Sequence, residues 1–434
     1  MVMKRFACLL VVSAVVLYRI AWYYSWTYEQ KTDHAYPLKV RSDLSRVKNT
    51  TRLTIKNDGL CLNLMNGTKH LNMTNKKTSD FTSDYDVKSL ASKGCNHVID
   101  MYDFEMDFKH ITKEERDFPI AYSILAHQNA HQLMLLLSAI YAPQNVYCIH
   151  IDLKSTSMFE AVKEIASCFS NVFLATKRED VVYAGFSRLQ ADINCMKDLV
   201  NIPVTTNNWT YLINLCGQDF PLRTNLEITK QLKKLNGRNQ IHGEANPVKF
   251  VRRTKYIHKV VNRTGKDGMV ERIIIRTSQL KSPPPFNMII RKNSAYNIYT
   301  RRFLRWVIFE SEKAKALLEW SRDTLTPDEH YWLMLDALEE APGRTGKMSG
   351  FTLSPYVSWN THAHRICGGY WRHYSCVFGS NDLGRLVRQN KLFANKFDVT
   401  YDSLPVTCLR KWLDDRKFRT NEIWNPHRSP VSIN

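Results

Sequence analysis

Several familiar catalytic patterns are absent from this sequence. It contains no G-x-G-x-x-G or P-loop after a predicted strand, no H-E-x-x-H and no G-x-S-x-G. An Asp-x-Asp at the end of a strand could hold a divalent metal on a diphosphate. The only such triplet, Asp84-Tyr85-Asp86, precedes the first predicted strand. We therefore interpret it as solvated surface, and the sequence predicts no metal site.

The segment Thr326-Pro-Asp-Glu329 is a second pattern that could carry chemistry. A carboxylate such as Glu329 can act as a general base that takes a proton from a reacting hydroxyl. The same spacing is also that of a capping box, with Thr326 as N-cap, Pro327 in the first helical position and Glu329 bonding back to the cap. The spacing by itself favours the cap.

The cysteine content indicates an oxidising compartment. There are ten cysteines, of which Cys8 lies in an apolar N-terminal stretch. No C-x-x-C pair is present, so neither a zinc ribbon nor a thioredoxin-type motif is supported. In an oxidising lumen the remaining nine predict four disulfides and one unpaired thiol.

The N-terminus is predicted to be a retained signal-anchor. A basic lead is followed by an apolar stretch, 6–26, broken only by Arg19. The uninterrupted part is shorter than the roughly 20 residues of a spanning helix, but Arg19 can extend its charge to the interface and the aromatic residues after it suit an interfacial belt. A cleaved signal peptide is the rival interpretation, but no small-residue cleavage site follows the apolar run. The sequence thus predicts a cytoplasmic tail (1–5), an anchor (6–26), a polar lumenal stem (27–94) and a catalytic domain (95–434).

Five acceptor triplets for N-glycosylation agree with a lumenal body. They begin at Asn49, Asn66, Asn72, Asn208 and Asn262. The formal net charge of +20 could by itself suit nucleic acid, acidic lipids or anionic substrates. Because the body is predicted to be translocated, we exclude nucleic acid as the partner.

The body is predicted to be an α/β domain. Apolar segments at 120–126, 145–151, 172–175 and 211–215 are candidate strands, and helical patterns at 131–141, 157–168 and 187–200 alternate with them. This alternation indicates βαβ units and a mainly parallel sheet, whose ligands bind at the carboxyl ends of the strands. In the less regular second half, we predict a long amphipathic helix over 301–322 and another from 326 to 338.

Residues 118 to about 410 resemble the core 2 and I-branching β-1,6-N-acetylglucosaminyltransferases, glycosyltransferase family 14. Six stretches carry the resemblance in the same order as in that family: Phe118-Pro-Ile-Ala-Tyr-Ser, Tyr141-Ala-Pro-Gln-Asn-Val-Tyr-Cys-Ile-His-Ile-Asp152, Ser187-Arg-Leu-Gln-Ala-Asp-Ile-Asn-Cys195, Asn214-Leu-Cys-Gly-Gln-Asp-Phe-Pro221, Thr326-Pro-Asp-Glu-His330 and Leu392-Phe-Ala-Asn-Lys-Phe-Asp398. The resemblance implies a GT-A-type, Rossmann-like fold with flanking helices, UDP-GlcNAc as donor and catalysis without a metal or other cofactor.

The resemblance also implies roles for individual residues. It makes Glu329 the catalytic base rather than a cap. It implies UDP-sugar binding by His127, Asp152, Tyr183, His373 and Lys396, and acceptor binding by Arg253 and Trp359. Position 373 is Arg in core 2 enzymes and His in I-branching-like relatives, and here Arg372 is adjacent. The family's acidic acceptor contact falls on His242, and the segment between Trp359 and Cys367 is shortened.

The family cysteines imply a pairing for this chain: Cys61–Cys408, Cys95–Cys168, Cys148–Cys195 and Cys367–Cys376, with Cys216 unpaired.

The resulting expectation is an inverting, metal-independent transfer of GlcNAc in β-1,6 linkage to a mucin-type core 1 O-glycan, by a single-pass type II protein of the Golgi membrane. Two alternatives remain open. One is I-branching of poly-N-acetyllactosamine, and the other is a lumenal glycan-binding protein that has lost catalysis.

Overall fold

The computed structural model describes residues 58–71, 83–108, 110–244, 252–265, 268–345, 353, 355–360 and 366–418. The predicted tail and anchor, 1–26, and the acceptor residues Asn49 and Asn72 lie outside the described residues. Within the described part of the chain, no helix has the length and apolar character needed to cross a membrane. Among the described glycosylation triplets, Asn208 and Asn262 are exposed, and Asn66 is half-buried at the end of a helix.

Strands and helices alternate through the first half of the body. The strands are β1 (Ile120–Ala126), β2 (Val146–Ile151), β3 (Val172–Leu174), β4 (Tyr211–Cys216), β5 (Asp219–Pro221), β6 (Gly243–Glu244), β7 (Tyr256–Thr264), β8 (Val270–Leu280), β9 (Lys292–Asn293), β10 (Ile298–Thr300), β11 (Tyr370–Arg372), β12 (Ser375–Val377) and β13 (Phe393–Asn395). The helices are α1 (Asp58–Asn66), α2 (Asp84–Ala91), α3 (Cys95–Tyr102), α4 (Lys113–Arg116), α5 (Ala130–Ile140), α6 (Thr156–Ala166), α7 (Phe186–Asn201), α8 (Asn225–Lys234), α9 (Arg301–Arg305), α10 (Glu312–Trp320), α11 (Tyr331–Asp336), α12 (Leu383–Leu386) and α13 (Leu404–Phe418).

A five-stranded sheet in the order β10-β4-β1-β2-β3 forms the centre of the body. β1 pairs in parallel with both β2 and β4, β3 pairs in parallel with β2, and β10 runs antiparallel at one edge. All seven residues of β1 and all six of β2 are buried, as expected for strands covered by helices on both faces. The predicted α/β class and mainly parallel sheet are confirmed, with strand bounds within one residue of those expected.

Alternate side chains of the central strands enter two different cores. Tyr122 and Ile124 of β1 pack with α5 and α6 on one face. Ala121 faces the other way, into a cluster with Leu189 of α7 and Trp332 of α11. This division follows from the two-residue period of a strand, so both faces of the sheet contribute buried apolar area.

Four disulfides tie the elements together, and their pairing is the one implied by the resemblance. Cys148–Cys195 joins β2 to α7, and Cys95–Cys168 joins α3 to the end of α6. Cys367–Cys376 closes a short loop onto β12, and Cys61–Cys408 joins α1 to α13. Cys216 is unpaired.

Two helices lie within the segment that we assigned to the stem, so that boundary is corrected. Leu64 of α1 and Val87 of α2 are buried in the body. The carboxylate of Asp84 accepts hydrogen bonds from the Ala130 backbone N–H (2.9 Å) and the Ser157 hydroxyl (3.0 Å). Asp84 therefore joins the first turns of α5 and α6, and our interpretation of it as solvated surface was wrong.

The predicted helix over 301–322 is also wrong, because it is interrupted. α9 is followed by a π-helical turn, Trp306–Glu310, and α10 begins only after Ser311. The Val-Ile-Phe run in the turn has low helix propensity, and the Ser311 hydroxyl accepts a hydrogen bond from the Ala314 N–H (3.1 Å), which starts a new helix. The long β7–β8 hairpin was not predicted; its β-branched run at 273–275 was the available signal.

Candidate active site

The carboxyl ends of three neighbouring strands meet at one edge of the sheet. His127 follows β1, Asp152 follows β2, and Cys216 ends β4. The backbone must come close here, because a Cβ on Gly217 would lie 2.9 Å from the Cβ of Ala126. The Gly217 N–H donates to the Leu125 carbonyl (2.8 Å), which holds the β1 and β4 ends together. This is the edge at which parallel sheets bind ligands.

Lys154 holds the loop that carries Tyr183 against the end of β2. The Lys154 ammonium donates to the buried Asp152 carboxylate (3.1 Å) and to the Val181 carbonyl (2.8 Å), and it also pairs with Asp180. Arg272 of the β7–β8 hairpin pairs with the same Asp180. Ionic contacts thus link the strand end, the Tyr183 loop and the hairpin.

Two further cations, Lys396 and Arg372, border the same edge. β13 pairs with β5 such that Asn395 lies opposite Asp219, which places Lys396 just beyond the end of β4. Partial desolvation lowers the pKa of His127. The Asp152 carboxylate opposes this shift, whereas the positive charges of Arg372, Lys154 and Lys396 reinforce it. Burial and Arg372 likewise lower the pKa of Lys396. His127, Asp152, Arg372 and Lys396 are therefore neighbours, and Arg372 is a cation that the resemblance did not assign.

His373 lies in a strained two-residue turn between β11 and β12. His373 and Tyr374 have φ of 49° and 66°, and Arg372 pairs with Ser375 on either side of them. A hairpin turn of this kind favours Asn and Gly, because left-handed backbone costs other residues about 1–2 kcal/mol each. The His373 ring stacks on the Tyr183 ring, with centroids 5.0 Å apart. Desolvation, Lys396 and Arg372 lower the pKa of His373, so it is a weaker cation than either neighbour.

Glu329 ends a short 3₁₀ turn, Pro327–Glu329, and the capping box does not form. Thr326 has φ of 52°, and its side chain makes no capping hydrogen bond. An N-cap requires an extended backbone, whereas the Thr326 backbone is left-handed. Its N–H instead donates to the carbonyl of Ala184 (2.7 Å), the residue after Tyr183. This bond joins the Glu329 turn to the Tyr183 loop.

The Glu329 carboxylate is paired with two cations and remains partly open to solvent. Arg253 Nη1 lies 2.7 Å and Lys292 Nζ 3.4 Å from Glu329 Oε2. Burial by itself would raise the pKa of Glu329, but Lys292 and Arg253 outweigh it, so the pKa is lowered. The carboxylate is therefore ionised at neutral pH. Lys292 was missed because nothing in its local sequence points to a site.

Tyr183 connects the Glu329 side of the site to the cationic side. Desolvation raises the pKa of the Tyr183 hydroxyl even though much of its ring is exposed, and the carboxylates of Glu329 and Asp328 raise it further. Tyr183 also stacks on His373, and the positive charge of Lys396 lowers the pKa of His373. These contacts give one continuous site from Glu329 to Lys396.

Trp359 lies beside the His373–Tyr374 turn. It bridges to Ser375, and the N–H of Asn360 donates to the Tyr374 carbonyl (3.0 Å). Its side chain is 40% exposed. The structure thus brings the two residues expected to bind the acceptor, Arg253 and Trp359, to the same site as the residues expected to bind the donor.

A buried polar cluster lies beneath the strand ends. The Asn395 side-chain amide donates to Asp219 (2.7 Å) and contacts the Cys216 sulfur (3.3 Å). Burial raises the pKa of Asp219 to about 7, and burial together with Asp219 raises the pKa of Cys216 to about 12. The thiol is therefore neutral at physiological pH and a weak nucleophile.

Among the described residues, one group of three potential metal ligands is close together: Cys367, Cys376 and Asp382. The two cysteines form a disulfide, so their sulfurs are not available as thiolate ligands. The Asp382 carboxylate accepts hydrogen bonds from the Gly368 N–H (2.8 Å) and the Gly379 N–H (2.9 Å). This group stabilises the loop around β12.

Residues 120–387 match the family described as "Branch: Core-2/I-Branching enzyme". The chain belongs to this family. It is 41% identical over 325 residues to a mouse N-acetyllactosaminide beta-1,6-N-acetylglucosaminyl-transferase, with 72% of this chain and 77% of that protein covered. It is 42% identical over 325 residues to a human Beta-1,3-galactosyl-O-glycosyl-glycoprotein beta-1,6-N-acetylglucosaminyltransferase, with 71% and 73% covered. The core-2/I-branching match confirms the predicted resemblance and makes this chain a member of a glycosyltransferase family.

Proposed function

We propose that this protein is an inverting β-1,6-N-acetylglucosaminyltransferase with a GT-A-type fold, which uses UDP-GlcNAc as donor and a mucin-type core 1 O-glycan as acceptor. The observation that carries the proposal is the continuous site in which the ionised Glu329, paired with Arg253, and the cations Lys396 and Arg372 lie on either side of Tyr183 and His373. Family membership and the names of the relatives supply the sugar and the linkage.

The roles follow from the chemistry of the step. UDP-GlcNAc is an α-linked donor, so a β product requires inversion at the anomeric carbon. The acceptor oxygen forms a bond to that carbon while the bond to the UDP oxygen breaks. Glu329 takes the proton from the acceptor hydroxyl. Lys396 and Arg372 stabilise the negative charge that develops on the departing diphosphate, which a metal would otherwise do.

The remaining site residues bind and orient the two substrates. His127, Asp152 and Tyr183 surround the ends of β1 and β2, where a nucleotide sugar would lie in a sheet of this type. Arg253 and Trp359 take the acceptor, with the exposed indole suited to the C–H face of a sugar ring. Arg253 also contacts Glu329, so the same guanidinium would bind the acceptor and position the base.

The proposed location is the Golgi membrane, with the catalytic domain in the lumen. The disulfides support an oxidising compartment, and Asn208 and Asn262 are exposed acceptors for N-glycosylation. The apolar stretch 6–26, preceded by Lys4 and Arg5, supports a single-pass type II anchor.

I-branching of poly-N-acetyllactosamine is the second candidate. His373 is the residue that the resemblance implies for I-branching-like enzymes. A human N-acetyllactosaminide beta-1,6-N-acetylglucosaminyl-transferase and a human Beta-1,3-galactosyl-O-glycosyl-glycoprotein beta-1,6-N-acetylglucosaminyltransferase are each 42% identical to this chain, so similarity does not choose between the two acceptors. A lumenal protein that binds glycans without turnover is the third, and the ionised, doubly paired Glu329 argues against it.

The test is product analysis with detergent-solubilised full-length protein, UDP-GlcNAc, and core 1 disaccharide and lactosamine acceptors side by side. We expect transfer to the core 1 acceptor, with the linkage read by NMR. Transfer to lactosamine only would select I-branching. Glycan binding without transfer to either acceptor would select the inactive alternative.

A further inference from the structure

Tyr374 is an exposed aromatic residue that the proposed mechanism leaves without a role. Its side chain is 68% exposed, and its φ of 66° places it in the left-handed region. In the described part of the chain, its ring has no aromatic partner within stacking distance and its hydroxyl makes no hydrogen bond. Neither packing nor polar contacts therefore explain why a tyrosine occupies this position.

The backbone of the β11–β12 turn disfavours a tyrosine at position 374, so its presence there needs an explanation. Both central positions of the turn, His373 and Tyr374, are left-handed, where glycine would relieve the strain. His373 uses its position to stack on Tyr183. Strain of this kind concentrates at functional sites, where the side chain's task depends on the unusual backbone. The same reasoning applies to Tyr374, whose ring is displayed at the tip of the β11–β12 hairpin.

Tyr374 directly follows His373, whose ring stacks on Tyr183, so Tyr374 lies beside the residue that connects the two sides of the site. The Tyr374 phenol is close enough to Tyr183 to contribute to the raised pKa of Tyr183. Glu329 and Asp328 raise that pKa as well. On its other side, the Tyr374 carbonyl accepts the hydrogen bond from Asn360, and Trp359 bridges to Ser375. Trp359 is itself 40% exposed. Two solvent-exposed aromatic residues, Trp359 and Tyr374, thus lie on adjoining backbone segments.

We infer that Tyr374 is a specificity-determining residue that stacks on the apolar face of the acceptor sugar and, with Trp359, forms an aromatic wall of the acceptor subsite. The inference rests on the proposed function and names part of its acceptor site. An aromatic ring and a hexose C–H face are complementary, and pockets for small ligands combine such faces with few polar groups. The ring, not the hydroxyl, makes the contact.

The test compares three substitutions with a control. Tyr374→Gly removes the ring and relieves the left-handed strain, Tyr374→Asn removes the ring while tolerating the backbone, and Tyr374→Phe keeps the ring. Tyr85→Ala, at a 77% exposed tyrosine of α2, is the control for loss of a surface ring. Each full-length variant is assayed for the KM of the acceptor, the Kd of UDP and the melting temperature.

We expect the Gly and Asn variants to raise the acceptor KM roughly tenfold, the upper range for one aromatic contact, with an unchanged Kd for UDP. The Phe and Tyr85 variants should stay within about twofold of the original protein. A Gly variant with normal acceptor KM would overturn the inference, since a turn that is merely structural is relieved by glycine. A weaker Kd for UDP in the Gly and Asn variants would overturn it in favour of a donor contact.

If the original protein transfers no sugar, the proposed function fails but the inference is still tested. Saturation-transfer NMR then measures binding of the core 1 disaccharide and lactosamine to the same proteins. Equal binding by the original and Tyr374→Gly proteins contradicts the inference, whereas loss of binding in the Gly variant supports it.

Discussion

The proposed donor edge and the proposed acceptor rim of this site are built in different ways. The donor edge consists of the ends of β1, β2 and β4, strands whose residues are almost all buried and fixed by their ladders. The proposed acceptor rim includes two turns with left-handed residues: Thr326 lies in one, and Tyr374 lies in the other, directly after the donor-side residue His373. Regular strand ends leave little freedom, whereas turns tolerate substitution. Donor binding should therefore be shared across the family, and acceptor choice should vary with the turns.

The largest expected effect is at Glu329, which stands where the two regions meet. Glu329→Gln keeps the size and hydrogen-bonding capacity of the side chain but cannot accept a proton as a carboxylate does. We expect turnover to fall by roughly 10²–10⁴-fold. The Kd for UDP should be unchanged, because Glu329 pairs with Arg253 and Lys292 rather than with the donor-edge cations. The measurement is transfer rate and UDP affinity on the same preparation.

Glu319→Gln is the matched control for this change, since Glu319 of α10 forms an exposed surface pair with Arg322, which follows that helix. It should leave turnover within about twofold and stability nearly unaltered. Near-normal turnover in Glu329→Gln would show that Glu329 is not the base, and another group would then have to accept the proton.

The second prediction addresses the cations of the donor edge. Lys396→Met removes the ammonium next to Cys216 and Arg372, and we expect turnover to fall by roughly 10²-fold or more because the departing diphosphate loses a preorganised positive charge. Lys396→Arg should retain much of the activity. His373→Ala should cost less than about tenfold, since the lowered pKa of His373 makes it a poor source of charge.

Lys313→Met, at an exposed ion pair with Glu340, serves as the charge-loss control and should have no measurable effect on transfer. If His373→Ala proved as damaging as Lys396→Met, the assignment of the diphosphate charge to Lys396 and Arg372 would be wrong.

The contrast between the two regions also explains what the sequence could predict. The strands and α5 to α7 follow from apolar periodicity, so His127 and Asp152 could be placed at strand ends by pattern alone. The spacing of Thr326-Pro-Asp-Glu329 favoured a capping box, which does not form. Thr326 has a left-handed backbone instead, and its N–H donates to the carbonyl of Ala184, a contact distant in sequence. The sequence could not identify Lys292 and Arg372 as site residues, because the groups on which their charges act, Glu329 and His127, are distant in sequence.

A third prediction concerns the pH dependence of turnover. Lys292 and Arg253 lower the pKa of Glu329, so the base stays ionised below the usual titration range of a glutamate. Lys292→Met removes one of these charges, so the pKa of Glu329 rises and the acidic limb of the kcat/KM profile moves to higher pH. At pH 7 the rate should change by less than about tenfold, because the carboxylate is ionised with or without Lys292. An acidic limb that moved to lower pH, or did not move, would contradict the assignment of that limb to Glu329.

The smallest expected effect is that of a chelator. In the proposed mechanism, Lys396 and Arg372 supply the charge that a metal would place on the diphosphate. The two carboxylates of the Asp-x-Asp triplet are engaged elsewhere. Asp84 accepts hydrogen bonds from Ala130 and Ser157, and Asp86 caps α2 through Ser83. We therefore expect transfer by the full-length protein to be unchanged, within about twofold, after dialysis against EDTA and in the presence of added manganese. Loss of activity in EDTA that manganese restores would show that the two cations are insufficient, and the donor edge would then need a metal ligand among its carboxylates, with Asp152 the first to test. Lys396→Met, which lacks one positive charge at this edge, serves as a comparison in the same experiment. If the ammonium acts without a metal, added manganese should not restore transfer by this variant.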